Sequence, residues 1–234
     1  MLISVYRYNY KEDSSYKMQD YNVDINDCSG VMLLDALIAI KEQQDETLTF
    51  RRSCGEGVCG SDAININGKN GLACVTPLSK LKGRIVLRPL PGMPVIRDLV
   101  VDLTNFYNQY KTVKPFLQND DPINYQAERL QSPDDRKKMD GLYECILCAS
   151  CTSSCPSYWW NPDKFLGPAA CLQSARFIND SRDTYTRERL SEMDNKYSMF
   201  RCRTIMNCTY VCPKGLNPAK AIAEIRLKMI NSHI

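Results

Sequence analysis

Residues 145–156 read CILCASCTSSCP, and residues 202–213 read CRTIMNCTYVCP. The two stretches align position by position, except that Ile205 stands where the first has Cys148. Cysteines at this spacing, ending in Cys-Pro, are typical of paired iron-sulfur clusters, in which the fourth cysteine of each run ligates the other cluster. The repeat therefore predicts two centres that exchange one ligand each.

Because each run gives its fourth cysteine to the other cluster, the thiolate ligands of both centres can be assigned. One centre receives four ligands: Cys145, Cys148, Cys151 and Cys212. The other receives three: Cys155, Cys202 and Cys208. Because an isoleucine cannot ligate iron, the second centre lacks a ligand at Ile205. The sequence therefore predicts a 4Fe-4S cluster in the first centre and a 3Fe-4S cluster in the second.

A third group of donors lies earlier, where residues 51–62 read RRSCGEGVCGSD and residues 71–74 read GLAC. Plant-type 2Fe-2S loops have the spacing Cys-x4-Cys-x2-Cys with a distant fourth cysteine. Asp62 occupies the third position here, and although carboxylate is an uncommon ligand for such clusters, we favour ligation over a role in capping the turn. The predicted 2Fe-2S ligands are Cys54, Cys59, Asp62 and Cys74.

The glycines of this loop suit a backbone whose N-H groups must approach sulfur closely. Residues 55–60 also match the dinucleotide-binding pattern G-x-G-x-x-G. That pattern requires a strand before it and a helix after it, and neither is expected here. We therefore predict no dinucleotide site.

The 234 residues are 44% hydrophobic and 24% charged, which fits a globular protein of two modest domains. They include 12 cysteines and one histidine, His233. Zinc and copper sites usually recruit imidazole, whereas iron-sulfur clusters take thiolates, so zinc is the minor alternative. We expect His233 to be part of a frayed polar terminus. The remaining Cys28 and Cys171 lie near apolar residues and are predicted to be buried structural thiols.

The net charge is +3 with neither sign dominating, and the sequence predicts no nucleic-acid partner. No secretory signal is recognisable in the opening MLISVYRYNY, and closely spaced cysteines in a reducing compartment favour metal thiolates over disulfides. Apolar stretches such as residues 95–103 are shorter than the roughly 20 residues that span a bilayer. Any membrane connection is expected to come through a partner.

The first hundred residues alternate β-branched or aromatic runs with turn sequences. Asn67-Gly68 predicts a tight hairpin turn, and the apolar spacing from Leu33 to Ile38 predicts one helix. Such a helix on a small sheet makes an α+β layer pair. Strands are expected over residues 2–8, 21–25, 64–66, 72–75 and 85–87.

An apolar stripe over residues 99–110 predicts a second helix, and a polar, proline-containing segment follows it. After Met139 the strand-like alternation ceases, and residues 167–177 and 218–229 fit helices. The second domain is therefore predicted to be all-α. We place the domains at residues 1–105 and 106–234.

The chain carries three ligand groups in this order, first on a β-rich region and then on a helical one. In this arrangement it resembles the iron-sulfur subunits of succinate dehydrogenase (complex II) over nearly its whole length. The resemblance implies an N-terminal ferredoxin-like β-grasp domain and an α-helical ferredoxin domain. The segments that carry it are residues 51–74, 87–102, 142–170 and 206–222.

The resemblance also implies a function. Electrons would pass from a flavoprotein (FAD) subunit, which oxidises succinate to fumarate, through the 2Fe-2S, 4Fe-4S and 3Fe-4S clusters to ubiquinone. The quinone would bind at two hydrophobic membrane-anchor subunits, and the family's quinone-site tryptophan corresponds to Trp160. Catalysis would require the partner subunits, with no acid-base catalyst in this chain. The complex would lie on the cytoplasmic face of a bacterial inner membrane, or on the matrix face in an organelle.

One position departs from the resemblance. The family often has histidine directly after the first three-iron ligand, and this chain has Arg203. An arginine stays charged and can only donate hydrogen bonds. Proton delivery attributed to that histidine therefore does not carry over.

Two other functions remain open at this point. The iron-sulfur subunit of quinol:fumarate reductase runs the same relay backwards, although Asp62 and the Trp159-Trp160 pair favour succinate oxidation by resemblance. A freestanding ferredoxin-like shuttle would be a monomer without a flavoprotein or membrane anchors, so co-purification with either would exclude it.

Overall fold

The computed structural model describes residues 1–122 and 124–232, so His233 lies outside the described residues. The chain forms two compact units. The first contains Met1–Leu103 together with the short segments Ile146–Ser154 and Val211–Pro213, and the second contains the other described residues. Parts of both cysteine repeats therefore belong to the first unit, although they lie far along the chain.

The strands of the first unit's main sheet are β1 (Leu2–Arg7), β2 (Lys17–Asn22), β3 (Ala63–Ile66), β4 (Lys69–Leu72) and β5 (Ile85–Arg88). Their order in the sheet is β2-β1-β5-β3-β4. β1 pairs antiparallel with β2 and parallel with β5. β3 pairs antiparallel with both β4 and β5. The predicted strands at residues 2–8, 64–66 and 85–87 are confirmed with shifted ends. The predicted strand at residues 72–75 was wrong beyond Leu72, because Ala73–Val75 form a 3-10 turn.

The turn between β3 and β4 follows the prediction. Asn67 and Gly68 both have positive φ, 49° and 87°, as the tight turn requires. The Asn65 side chain accepts the N-H of Gly68 at 3.0 Å. The hairpin directs β4 into a single 3-10 turn, Ala73–Val75, which carries Cys74.

Helix α1 (Leu33–Gln43) is the predicted helix of this unit. The Asp35 carboxylate accepts the N-H of Met32 at 2.9 Å and so satisfies a donor at the helix start. The helix contacts the turn at Ala73–Val75, so it supports the segment that carries Cys74. The buried side chains of this helix are apolar, and burial of each larger one contributes roughly 1.5–3 kcal/mol to the stability of the fold. They are Leu33, Leu34, Ala36, Leu37, Ala39 and Ile40.

Two further segments differ from the prediction. The second strand covers Lys17–Asn22 rather than residues 21–25, because it pairs antiparallel with all six residues of β1, from Asn22 opposite Leu2 to Lys17 opposite Arg7. The apolar stripe from Leu99 begins in a two-stranded sheet, β6 (Val95–Arg97) and β7 (Val100–Val101). Between them Asp98 has φ 47° and accepts the N-H groups of Tyr8 and Thr49, which fixes a turn where a helix was expected.

The other helices are α2 (Thr104–Thr112), α3 (Pro133–Lys137), α4 (Ser150–Ser153), α5 (Pro156–Trp160), α6 (Gly167–Ile178), α7 (Thr186–Met193), α8 (Asn207–Tyr210) and α9 (Pro218–Ser232). Only α4 of these belongs to the first unit. α6 is buried over most of its length and contacts α2, α7 and α9. The described part of the second unit is therefore helical, as predicted.

A buried ion pair lies within the second unit. Arg189 donates to Asp183 at 2.8 Å, and neither side chain is more than 3% exposed. The same guanidinium donates to the carbonyls of Val113, Lys114 and Phe116, so it fixes the segment that leaves α2. Within residues 1–122 and 124–232, no helix is long and apolar enough to cross a bilayer.

Candidate iron-sulfur centres

The loop before β3 brings two of the predicted 2Fe-2S ligands together. The Cys54 sulfur accepts the N-H of Glu56 at 3.5 Å and the N-H of Cys59 at 3.4 Å. These donors, with that of Val58, lower the pKa of the Cys54 thiol to about 7. The loop therefore favours thiolate, the form of cysteine that binds metal.

Asp62 and Cys74 meet beside the same loop. The Cys74 N-H donates to Asp62 Oδ2 at 2.5 Å. Burial, together with the Asp62 carboxylate and the charge of Cys54, raises the pKa of the Cys74 thiol to about 12. Cys54 is thus linked to Cys59, and Cys74 is linked to Asp62 and Cys54, so the four predicted donors form one group.

One atom of this group fits a ligand better than a turn cap. Asp62 is 4% exposed, and its second oxygen, Oδ1, is buried without a hydrogen-bond partner among the described residues. An unsatisfied buried carboxylate oxygen is costly, and coordination to a metal is one way to satisfy it. The donor set therefore fits a 2Fe-2S cluster with mixed sulfur and oxygen ligation.

Cys148, one of the predicted four-iron ligands, lies on a loop with unusual backbone. Leu147 and Ala149 flank Cys148 with φ of 53° and 63°, in the left-handed region that residues other than glycine rarely adopt. Helix α4 begins directly after Ala149 and carries Cys151. Cys148, Cys151 and Cys212 belong to the first unit, and Cys145 belongs to the second.

The 2Fe-2S loop touches this second loop. A β-carbon placed on Gly60 would lie 2.8 Å from Cys148 Cβ, 3.0 Å from its Cα and 3.1 Å from the carbonyl oxygen of Ile146. Gly60 directly follows the predicted ligand Cys59. The absence of a side chain at residue 60 therefore allows two ligand-bearing loops of the first unit to approach within van der Waals contact.

A buried asparagine fixes the position of α4 within the first unit. The Asn70 amide donates to the carbonyl of Ser150 at 3.0 Å and to the hydroxyl of Ser153 at 2.8 Å. Its own oxygen accepts from Asn65 at 2.8 Å. The β3-β4 hairpin is therefore hydrogen-bonded to the helix that carries Cys151.

The three cysteines predicted to hold 3Fe-4S all lie in the second unit. They line one pocket, with Ile205 and Ser157 among its other lining residues. Burial raises the pKa of the Cys155 and Cys208 thiols, and each also responds to the charge of Cys202. The structure thus brings the three sulfurs together around a cavity.

The backbone repeats the first cysteine loop where the sequence loses its ligand. Thr204 and Met206 flank Ile205 with φ of 56° and 71°, matching the residues that flank Cys148. Ile205 is 45% exposed. The second run therefore keeps a cluster-binding loop conformation while an apolar side chain replaces one donor.

Arg226 of α9 contacts the segment of a proposed ligand, and nothing in the sequence indicated it. Its guanidinium donates to the carbonyl of Met199 at 3.0 Å and to the carbonyl of Cys202 at 2.7 Å. It fixes the segment that presents Cys202, whose sulfur accepts the N-H of Thr204 at 3.4 Å. No local motif could reveal this contact, because the partners are 24 or more residues apart.

The predicted quinone residue lies at the end of α5, a helix that begins immediately after Cys155. Trp160 is 60% exposed and Trp159 is 43% exposed. The two indoles are adjacent in the chain and both present exposed aromatic surface at the end of α5. Arg203 is also exposed and lines the pocket of the three cysteines.

The two cysteines left over differ in burial. Cys171 is fully buried in α6, as predicted. Cys28 is only half-buried and its sulfur lies 3.6 Å from the carbonyl of Asp24, so the prediction of a buried thiol was wrong there. The short 3-10 turn Ile25–Asp27 precedes Cys28 and has no buried residue.

In the part of the chain that the structure describes, no three or more His, Cys, Asp or Glu side chains converge on one metal-ion position.

Two family models match the chain. Residues 2–108 match a 2Fe-2S iron-sulfur cluster binding domain, and residues 144–217 match a 4Fe-4S dicluster domain. The matched ranges contain every cysteine that was predicted as a ligand. The predicted cofactor classes of the two halves are therefore confirmed for 2Fe-2S and 4Fe-4S.

Curated relatives are similar over nearly the whole chain. A protein of Coxiella burnetii (strain RSA 493 / Nine Mile phase I), named succinate dehydrogenase iron-sulfur subunit, is 60% identical over 98% of this chain and 97% of its own length. A protein of Oryza sativa subsp. japonica, named succinate dehydrogenase [ubiquinone] iron-sulfur subunit 1, mitochondrial, is 55% identical over 95% of this chain and 80% of its own length.

Solved structures share the fold. A chain of the Mycobacterium smegmatis Sdh1 complex in the apo form has a TM-score of 0.87 at 25% identity, over 99% of this chain and 95% of that one. A hypothetical protein from Helicobacter pylori has a TM-score of 0.56 at 16% identity, over 97% of this chain and 39% of that one, which shows the fold alone. The predicted β-grasp and helical ferredoxin domains are confirmed, and the chain belongs to the family of succinate dehydrogenase iron-sulfur subunits.

Proposed function

We propose that this chain conducts electrons from a flavoprotein (FAD) subunit, where succinate becomes fumarate, to ubiquinone at two hydrophobic membrane-anchor subunits. Membership of the succinate dehydrogenase iron-sulfur subunits supports this proposal. When bound, iron-sulfur clusters accept and release electrons one at a time at potentials that their ligands and surroundings tune. The chain itself needs no acid-base catalyst for this role, and turnover requires the partner subunits.

The observation that carries the proposal is the contact of Gly60 with Cys148. It places the loop of Cys54 and Cys59 directly against the loop of the proposed four-iron ligands within one unit. Two isolated metal sites with structural roles would not need this approach. A relay does, because electrons pass efficiently only between centres that lie close together.

We assign the ligands as the spacing predicts. The proposed 2Fe-2S ligands are Cys54, Cys59, Asp62 and Cys74. The proposed 4Fe-4S ligands are Cys145, Cys148, Cys151 and Cys212. The proposed 3Fe-4S ligands are Cys155, Cys202 and Cys208. The orphaned oxygen of Asp62 and the pocket lined by the last three cysteines support the first and third sets.

The chain's own residues prepare these sites in two ways. Backbone N-H groups donate to thiolate sulfur at Cys54 and Cys202, which stabilises the anionic ligand. Long-range hydrogen bonds from Asn70 and Arg226 hold α4 and the segment before α8 in place. Preformed loops of this kind restrict the ligands to the geometry that a cluster needs.

The three-iron assignment follows from Ile205. Its flanking residues adopt the same positive φ as those around Cys148, so the loop would present a ligand there if it had one. The isoleucine supplies none, and three thiolates remain. The sequence division at residue 105 fits the same scheme, with the 2Fe-2S ligands in residues 1–105 and the other two sets in residues 106–234.

Trp160 is the proposed quinone contact. Its exposed ring, five residues after the proposed ligand Cys155, can cover an apolar headgroup while the indole N-H donates to a carbonyl. With the anchors in the membrane, the chain would be peripheral, on the cytoplasmic face of a bacterial inner membrane or the matrix face in an organelle.

Trp160→Phe in the assembled complex tests this function, because phenylalanine keeps the ring and removes the donor. Succinate:quinone reductase activity should fall, while succinate-driven reduction of a soluble dye should stay at the wild-type rate. Trp159→Phe, at the less exposed neighbouring indole, is the matched control and should retain both rates. Equal loss of both activities in Trp160→Phe would contradict the quinone role.

A further inference from the structure

The hydroxyl of Ser157 is a buried polar group without an evident role in the fold. Ser157 is the second residue of α5, two positions after Cys155, and is 1% exposed. Its Oγ is buried without a hydrogen-bond partner among the described residues. Buried hydroxyls in native proteins almost always have a partner, so this one requires an explanation.

The surroundings of Ser157 indicate what that partner is. Ser157 lines the same pocket as Cys155, Cys202 and Cys208. A group that fills this pocket and is bound by the three thiols would lie beside the serine hydroxyl. The three-iron centre of the proposed function is such a group, and its sulfur atoms are hydrogen-bond acceptors.

We propose that the Ser157 hydroxyl donates a hydrogen bond to a sulfur of the three-iron centre, either Cys155 Sγ or an inorganic sulfide, and thereby favours the reduced centre. The inference rests on the proposed function. Reduction adds one electron to the centre, and a donor at sulfur stabilises that added negative charge without giving up its proton. Ser157 would therefore raise the midpoint potential of the last centre before the quinone.

The test is a redox titration of the assembled complex, followed through the EPR signal of the oxidised three-iron centre. Ser157→Ala should shift the reduction equilibrium by about tenfold towards the oxidised centre, a fall of about 59 mV for one electron. Ser157→Thr keeps the hydroxyl and should stay near the wild-type midpoint. Ser174→Ala is the matched control, since Ser174 is equally buried but donates to Met193 Sδ at 3.0 Å, and its midpoint should not change.

Each outcome separates the inference from the function on which it rests. Wild-type complex without a three-iron signal would contradict the ligand assignment itself. A normal signal with an unchanged midpoint in Ser157→Ala, or an equal fall in Ser174→Ala, would overturn the role of Ser157 alone. Should Ser157→Ala fail to assemble, Ser157→Gly also removes the hydroxyl without adding a ligand and must lower the midpoint; an unchanged value would overturn the proposal.

Discussion

Gly60→Ala should lower the free energy of unfolding more than Gly55→Ala does. The difference reports how closely the loop of Cys54 and Cys59 approaches the loop of Cys148. Both glycines have positive φ, 69° and 74°, so both alanines would adopt the left-handed conformation at roughly 1–2 kcal/mol. At Gly55 nothing lies within 4 Å of the new methyl group. At Gly60 it would meet Cys148 Cβ at 2.8 Å and Cα at 3.0 Å, and backbone cannot rotate away.

Displacing well-packed backbone costs about 1–3 kcal/mol more, so we expect about 2–5 kcal/mol in total for Gly60→Ala. The assay is a urea titration of the oxidised complex under anaerobic conditions, followed by the visible absorbance of the clusters. The Gly60→Ala midpoint should fall below that of Gly55→Ala. Rapid-freeze EPR should also show slower reduction of the four-iron centre by succinate. Equal midpoints for the two variants would refute the close approach of these loops.

Three further predictions concern single side chains. Asp62→Cys should retain the 2Fe-2S cluster while its EPR signal and midpoint potential change; an identical signal and midpoint would mean that Asp62 does not touch iron. Ile205→Cys should raise the non-haem iron from about nine to about ten per chain and abolish the three-iron EPR signal, whereas unchanged iron would exclude a ligand-ready loop at residue 205. Asn70→Ala should lower the free energy of unfolding by about 2–3 kcal/mol, because three hydrogen bonds are lost. The control is Asn26→Ala, since the exposed Asn26 side chain bonds within its own turn. Equal effects of the two substitutions would contradict the role of Asn70.

The proposed ligands could be assigned from the sequence because ligand spacing is a local property. Cysteines two or three residues apart lie on one loop whatever the rest of the fold does, so the repeat at Cys145 and Cys202 could be recognised from letters alone. The hairpin at Asn67-Gly68 could be predicted for the same reason, since only a few residue types accept its φ values. Short turns and closely spaced cysteine runs are therefore the features of this molecule that the sequence indicates best.

The errors arose where tertiary contacts determine the local structure. β2 begins at Lys17 because that residue pairs with Arg7 at the end of β1, and the strand's own sequence shows no apolar alternation that indicates this start. Asp98 stops a helix from starting at Leu99 by accepting N-H groups from residues 49 and 90 positions away in sequence. No apolar periodicity contains that information.

The functional contacts that were missed share one cause. Asn70 reaches α4 across 80 residues and Arg226 reaches Cys202 across 24, so neither pair forms a motif. The positive φ values at Leu147 and Thr204 are likewise invisible, because neither residue type favours that conformation. These contacts depend on the folded chain, and only the structure could supply them.

The most direct measurement is the non-haem iron and acid-labile sulfide of the anaerobically purified complex, combined with EPR in both oxidation states. One 2Fe-2S, one 4Fe-4S and one 3Fe-4S cluster predict about nine irons and about ten sulfides per chain, with separate signals for the reduced two-iron and oxidised three-iron centres. Colourless protein without labile sulfide, or zinc in place of iron, would contradict the account.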